Sequence, residues 1–284
     1  MKKFLLIIIS VLMTLSAYAQ GQINTKKVKI SDLTRKVTKV VLNGSSFYDG
    51  SFKDDISSRW RMSPYEFCTL EEFEKLKTSD QYYFLMLTEG QFKKENEPGI
   101  QFITLVKGGP DAKEGIDHML EVVTVPFASV EFPSGRELTF LPVLLDIIQD
   151  YALQSMEKDL TSLGGLASYS SNLSKAKDKN IILAEEDLSE EVRVNLDEEK
   201  LGYGVTVTDA DTADEYAVNT TANTLISYTV APSDPVAGSY CYKMLIDTNT
   251  HQVYYFRKHR ISKNLGTGFL PEDIKKIASS RPKK

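Results

Sequence analysis

The feature that most constrains the fold is an alternation of apolar runs of strand length with short helical segments, which passes through the chain twice. Turn signals such as Asn-Gly, Gly-Gly and Gly-Pro separate these segments, and such alternation is typical of α/β folds. We therefore expect an α/β protein, with a mixed α+β arrangement as the alternative. It should contain two tandem units, each a mixed β-sheet flanked by helices.

The first unit is expected at residues 37–165. Strands are predicted at 37–42, 65–69, 82–88, 100–106 and 119–126, and short helices at 51–60 and 70–77. Thr69 is a suitable N-cap for the second of these helices. A long closing helix is predicted to begin at Pro142, because proline is tolerated in a first turn, and to end at Gly164-Gly165.

The second unit is expected at residues 180–284 and ends in a basic tail. A segment rich in Ser, Ala and Lys, residues 166–179, is predicted to link it to the first unit. Strands are predicted at 180–184, 203–208, 224–231, 240–247 and 252–257, and helices within 188–200, at 211–219 and from Pro271. The last two strands should form a hairpin around Thr248-Asn249-Thr250.

The order of elements suggests that the two units arose by duplication. In each, a strand containing tyrosine leads to a short helix and then to an apolar strand. Phe140-Leu141-Pro142 and Phe269-Leu270-Pro271 are predicted to begin the two closing helices. Because identity between the halves is low, two unrelated α/β stretches are the alternative.

The N-terminus is predicted to be a secretory signal peptide covering residues 1–19. Lys2-Lys3 precede an apolar run, and Ala17-Tyr18-Ala19 places small residues before a cleavage site between Ala19 and Gln20. The apolar run is too short to span a membrane, and no second long run follows. We expect an exported chain without a transmembrane segment, with residues 20–36 as a lead-in. A helix and basic tail at the C-terminus favour the periplasm over the exterior.

Composition and motifs argue against several classes. With 34 Lys+Arg against 39 Asp+Glu, the chain is acidic, so nucleic acid is not expected as a partner. Two cysteines rule out a disulfide framework, and three scattered histidines make a metal site unexpected. The sequence lacks G-x-S-x-G, H-E-x-x-H, P-loop and C-x-x-C motifs, and no cofactor is expected.

Two basic and aromatic segments are the candidate binding sites. Arg59-Trp60-Arg61 could stack on a sugar or peptide, or its tryptophan could cover the core. The run Arg257, Lys258, His259 and Arg260 could bind an anion or acidic glycan, or its charges could protect an edge strand.

Two further sets of side chains have alternative interpretations. Cys68 and Cys241 could form a disulfide between the units or be two separately buried thiols. Asp209, Asp211 and Asp214 could supply calcium ligands, although capping of a short helix is the simpler interpretation.

Three segments resemble those of uncharacterised secreted proteins of Bacteroidetes. They are the signal peptide ending in Ala19-Gln20, the segment Ser63-Pro64-Tyr65-Glu66-Phe67, and the strand with its Gly-Gly turn at 102–109. The alternation followed by a hairpin is also loosely similar to the TolB N-terminal-like domains of envelope proteins, which usually have longer helices. The resemblance implies an α/β envelope protein and carries no assigned chemistry.

These observations favour a non-enzymatic binding or assembly module whose partner is an envelope protein or a glycan. The alternative is a secreted hydrolase that acts on glycan or peptide through dispersed carboxylates such as Glu66, Glu89 and Glu121. Two carboxylates about 5–10 Å apart across a deep cleft would favour that alternative.

Overall fold

The computed structural model describes residues 30–44, 46–157, 165–197 and 201–282. The predicted signal peptide, its cleavage site at Ala19 and Gln20, and the start of the lead-in lie outside the described residues. So does Gly164, one half of the predicted helix stop.

The first unit contains a five-stranded mixed sheet. Its strands are β1 (Val37–Leu42), β2 (Tyr65–Thr69), β3 (Tyr82–Gly90), β4 (Ile100–Lys107) and β5 (Leu120–Ser129). The strand order is β2-β1-β3-β4-β5. Strand β1, the second in this order, runs parallel to both of its neighbours, whereas β3, β4 and β5 pair antiparallel.

Three helices complete this unit: α1 (Ser46–Arg59), α2 (Leu70–Leu76) and α3 (Arg136–Glu157). The predicted N-cap of α2 is present, because the Thr69 hydroxyl accepts from the Glu72 amide and the Glu72 carboxylate accepts from the Thr69 amide. This capping box satisfies two amides at the start of a helix that is too short to be stable alone.

The second unit repeats this topology. Its strands are β6 (Asn180–Ala184), β7 (Val205–Thr208), β8 (Thr224–Val230), β9 (Tyr240–Asp247) and β10 (Val253–Arg260), and its helices are α4 (Glu190–Val194), α5 (Ala210–Val218) and α6 (Pro271–Ser279). The order β7-β6-β8-β9-β10 corresponds strand for strand to the first sheet, with the same parallel and antiparallel pairs. The predicted fold class of two tandem α/β units is confirmed.

One hydrophobic core joins the two units. The first and closing helices of the first unit contribute Phe52 and Phe140 to it, and the middle helix of the second unit contributes Ala213. The outer face of the first sheet is covered by Phe73 of α2, and that of the second by Ile277 of α6. The units therefore pack front to back: α1 and α3 face the shared core, whereas the equivalent helices α4 and α6 lie on the outer face of the second sheet.

The predicted start of the long closing helix is wrong. α3 begins at Arg136, and Pro142 lies inside it. A proline inside a helix removes one backbone hydrogen bond. A helix that began at Pro142 would, however, leave out Phe140 and Leu141, whose side chains are fully buried from within α3. Their burial offsets the proline cost at roughly 2 kcal/mol for each large apolar side chain. The last described residue of α3 is Glu157, before the predicted Gly164-Gly165 stop.

The segment between the units is structured. A 3₁₀ helix, Gly165–Lys175, lies along the outer edge of β10. Ser170 Oγ donates to Phe256 O at 2.7 Å and accepts from Phe256 N at 3.0 Å, and Asn172 Nδ2 donates to Val253 O at 3.0 Å. These side chains satisfy backbone groups that an open edge strand would present to another chain.

Candidate functional site

A polar groove of about 310 Å³ opens between α3, the 3₁₀ helix and the start of β10. Asp150 and Gln154 of α3 line one side, Tyr169 and Asn172 of the 3₁₀ helix another, and Gln252 before β10 the third. Ser168, Ser171, Lys175 and Tyr254 complete the lining. This volume lies at the small end of the range for ligand pockets.

Hydrogen bonds among the lining side chains hold them in place. Asp150 Oδ2 accepts from Tyr169 OH at 2.9 Å and from Gln154 Nε2 at 2.7 Å. Asn172 Oδ1 accepts from Lys175 Nζ at 3.0 Å while its amide nitrogen is bonded to β10. Burial, together with the Asp150 charge, raises the pKa of Tyr169 well above its ordinary value, so its hydroxyl remains a donor. The groove is thus preorganised.

Contacts of Asp146 with neighbouring elements hold α3, one wall of the groove, in position. Asp146 lies one helical turn before Asp150, so both carboxylates project from the same face of α3. Asp146 Oδ2 accepts from Arg59 Nη1 at 2.8 Å and lies 2.7 Å from His251 Nδ1 in the β9–β10 turn. This contact ties α1, α3 and the hairpin together, so Arg59 supports the groove rather than lining it.

The structure separates the residues of the Arg59-Trp60-Arg61 segment. Trp60 is only 2% exposed and donates from Nε1 to Ser63 Oγ at 3.0 Å, so its ring belongs to the core. The exposed Arg61 donates to the carbonyls of Ser58 at 2.6 Å and Trp60 at 2.8 Å, at the C-terminal end of α1. Here the guanidinium satisfies helix carbonyls, as expected of a cation at that end.

The basic run on β10 does not form one surface either, because successive side chains of a strand point to opposite faces. Arg257 pairs with Glu272 and Asp273 of α6. Lys258, on the other face, lies 4.0 Å from the Tyr240 ring centroid, and burial lowers its pKa to about 8. His259 is buried and its Nε2 lies 2.8 Å from Gly266 O. Arg260 is exposed.

A cluster of buried charged residues beneath α6 was not predicted from the sequence. Asp273, fully buried, pairs with the equally buried Lys243 and with Arg257, and accepts from Tyr255 OH at 2.5 Å. Hydrogen bonds and charge from Lys243, with those from Tyr255 and Arg257, outweigh desolvation and lower the Asp273 pKa. The sequence signal was a lysine in the middle of an otherwise buried strand. Its partner lies 30 residues away.

A second buried ion cluster connects the units. Arg136, at the start of α3, donates to Asp214 from Nε at 3.0 Å and from Nη2 at 2.7 Å, and from Nη1 to Asp187 at 3.1 Å. Asp187 also accepts from Ser227 Oγ at 2.6 Å. Regular pairing of β6 with β8 ends at Ile182 and Ile226, and Arg136 lies just beyond that point. Arg136 Nη2 also donates to the carbonyl oxygen of Ser227, the next residue of β8, at 3.4 Å.

The glutamates considered for hydrolysis do not converge. Glu89 is opposite Gln101 and Glu121 is opposite Val106, which places the two roughly 17 Å apart along the sheet. Glu66 lies on the far edge strand β2 and pairs with Lys39. These three carboxylates therefore cannot act as one acid–base pair.

Other carboxylates surround a second cavity. Glu95, Glu97, Glu131 and Asp234 line a space of about 210 Å³ between loops of the two units. Glu95 Oε2 accepts from Phe92 N at 2.7 Å, and its Oε1 is buried without a hydrogen-bond partner among the described residues. Glu121, whose pKa is raised to about 7 by burial, lies outside both cavities.

Both cysteines are free and buried, in agreement with the second of the two interpretations. Burial raises the pKa of the Cys68 thiol to about 11 and that of Cys241 to about 12. His259 is the cross-strand neighbour of Cys241, and burial lowers its pKa. Both groups are thus held neutral, unlike a reactive thiolate–imidazolium pair.

Two of the three aspartates considered as calcium ligands, Asp209 and Asp214, have structural roles. Asp209 is the N-cap of α5 and accepts from Thr212 N at 2.9 Å, while Asp214 is bonded to Arg136. No group of three potential metal ligands occurs in the described ranges. None of the described helices has both the length and the apolar character that a membrane span requires.

Comparison of the chain with protein-family models, with curated proteins and with solved structures finds no significant match.

Proposed function

We propose that this chain is an exported binding module of the cell envelope and that the polar groove is its ligand site. One observation carries the proposal: around a cavity of about 310 Å³, side chains of α3 and the 3₁₀ helix are already bonded to one another, and Asn172 of the 3₁₀ helix is bonded to the backbone of β10. Preorganisation of this kind lowers the entropy lost on binding. Among the described residues that line the groove, Asp150 is the only carboxylate, and hydrolysis by a pair of acids would need a second one.

Export rests on the predicted signal peptide and has its own test. The full chain is expressed in a Gram-negative host, and the periplasmic fraction is analysed by N-terminal sequencing. We expect a processed chain that begins at Gln20, because Ala17 and Ala19 provide small residues at the cleavage site. An unprocessed chain that stays in the cytoplasm would contradict export and leave the groove proposal standing.

The binding function is tested with a panel of saccharides, amino acids and short peptides. Thermal unfolding is measured with each compound, and mass spectrometry follows turnover of the same samples. We expect at least one compound to raise the melting temperature, because a ligand that binds only the folded state stabilises it. No compound should be consumed. Turnover, or the absence of any stabilising compound, would contradict a binding module.

The four-carboxylate cavity favours hydrolysis as a second candidate function. A glycosidase needs one carboxylic acid that stays protonated beside one that is ionised. If this cavity is catalytic, Glu95→Gln and Glu131→Gln should each abolish the turnover detected with the panel. Turnover that survives both changes would remove this candidate.

A further inference from the structure

The groove that we propose as the ligand site also restricts the chemistry of its ligand, and this inference rests on the proposed binding function. Three primary amides, those of Gln154, Asn172 and Gln252, lie around the cavity. Each carries both donors and an acceptor on one planar group. Such groups suit ligands whose polar atoms also donate and accept, as neighbouring hydroxyls do.

Much of this bonding capacity is available to a ligand. Asp150 uses Oδ2 for both of its bonds to Tyr169 and Gln154, which leaves Oδ1 to accept. Gln154 donates one N–H to Asp150, so its second N–H and its carbonyl oxygen can bond to a ligand. Among the described residues, no hydrogen bond involves the side-chain amide of the exposed Gln252.

The charge of the lining is balanced. Among the described lining residues, Asp150 and Lys175 are the charged ones, and each is already bonded to a neutral lining residue. None of the described lining residues is an arginine, so that part of the groove has no guanidinium to bind a carboxylate or phosphate through two hydrogen bonds. An ionic ligand would therefore gain little here over its hydration in water.

The volume of the groove limits how large the bound part of a ligand can be. A volume of about 310 Å³ corresponds to about ten water molecules at ~30 Å³ each, close to one sugar ring with its hydroxyl groups. We propose that the groove binds a neutral saccharide through one sugar ring, either free or as the end of a longer glycan. The hydroxyls replace water on the amides of Gln154, Asn172 and Gln252 and on Asp150 Oδ1.

Calorimetric titration of the purified protein tests this assignment. The neutral probes are glucose, galactose, mannose, N-acetylglucosamine, maltose and cellobiose, and the charged probes are glutamate, lysine and glucuronate. We expect at least one neutral saccharide to bind and to be preferred over every charged probe. The variants Gln252→Ala and Gln154→Ala should each weaken that binding about fivefold, the effect of losing one typical hydrogen bond.

Gln81→Ala is the matched control, since Gln81 is an exposed glutamine at the end of the first sheet whose side chain donates to its neighbour Asp80. Its affinity should equal that of the unmodified protein. If none of the neutral saccharides binds, or if their binding is unchanged in both groove variants, the saccharide assignment is wrong. Binding of a charged probe that Gln252→Ala weakens would overturn the saccharide assignment while keeping the binding function.

Discussion

Replacement of the half-buried Glu121 by glutamine should stabilise the protein at high pH and leave it almost unchanged at low pH. Glu121 lies on β5 opposite Val106, and its Oε1 is buried without a hydrogen-bond partner among the described residues. Burial raises its pKa from 4.5 to about 7, although a hydrogen bond with Thr124 opposes that rise. The folded state therefore carries a poorly solvated carboxylate above pH 7.

The size of the effect follows from the two pKa values. Moving a pKa from 4.5 to about 7 corresponds to about 3 kcal/mol at ~1.4 kcal/mol per pH unit. Because the folded-state pKa is the higher one, Glu121 costs nothing well below pH 4.5. Its cost grows as the pH rises from about 5 and is complete above about 7. Glutamine resembles the protonated acid at every pH, so it removes that cost.

Urea unfolding of the unmodified protein and Glu121→Gln at pH 5 and pH 9 measures the difference. The variant should gain about 2–3 kcal/mol in free energy of unfolding at pH 9 and less than about 1 kcal/mol at pH 5. Glu89→Gln, a change at an exposed glutamate of the same sheet, is the control and should show no such pH dependence. Equal effects of Glu121→Gln at both pH values would refute the reasoning, because they would show that its carboxylate ionises normally in the folded protein.

Two further predictions concern the other buried groups. Arg136→Met should lower the free energy of unfolding by about 3–5 kcal/mol in urea titrations, because it leaves Asp187 and Asp214 buried without their cation. Adding Asp187→Asn and Asp214→Asn should recover most of this loss, and no recovery would mean that charge is not the cause. Native Cys68 and Cys241 should resist iodoacetamide at pH 8 and react in urea, as mass spectrometry can follow. Rapid native labelling, or a disulfide-linked peptide, would contradict their burial as free thiols.

Helices and strands that depend on residues only a few positions apart were predictable from the sequence. Thr69 caps α2 through Glu72, three residues away, and Pro271 begins α6 as expected. The alternating pattern located the ten strands of the described residues to within a few positions. The start of α3 was predicted wrongly because the local preference of Pro142 for a first turn was overridden by the burial of Phe140 and Leu141 within the helix.

The groove could not be predicted in the same way. Asp150, Tyr169 and Gln252 come from three elements, and Gln252 lies about a hundred residues from Asp150 along the chain. None of them stands in a recognisable motif. The sequence drew attention instead to Trp60 and the basic run on β10, whose side chains mostly pack, cap or form ion pairs.

The sequence by itself determined two successive α/β units, because hydrophobic period, caps and turns act between residues only a few positions apart. The tertiary structure decided how the units meet, and with it the Arg136 cluster, the Asp273 cluster and the polar groove. Each of these joins side chains from distant segments. Their distances and burial depend on the front-to-back packing of two sheets, for which the chain carries no local signal.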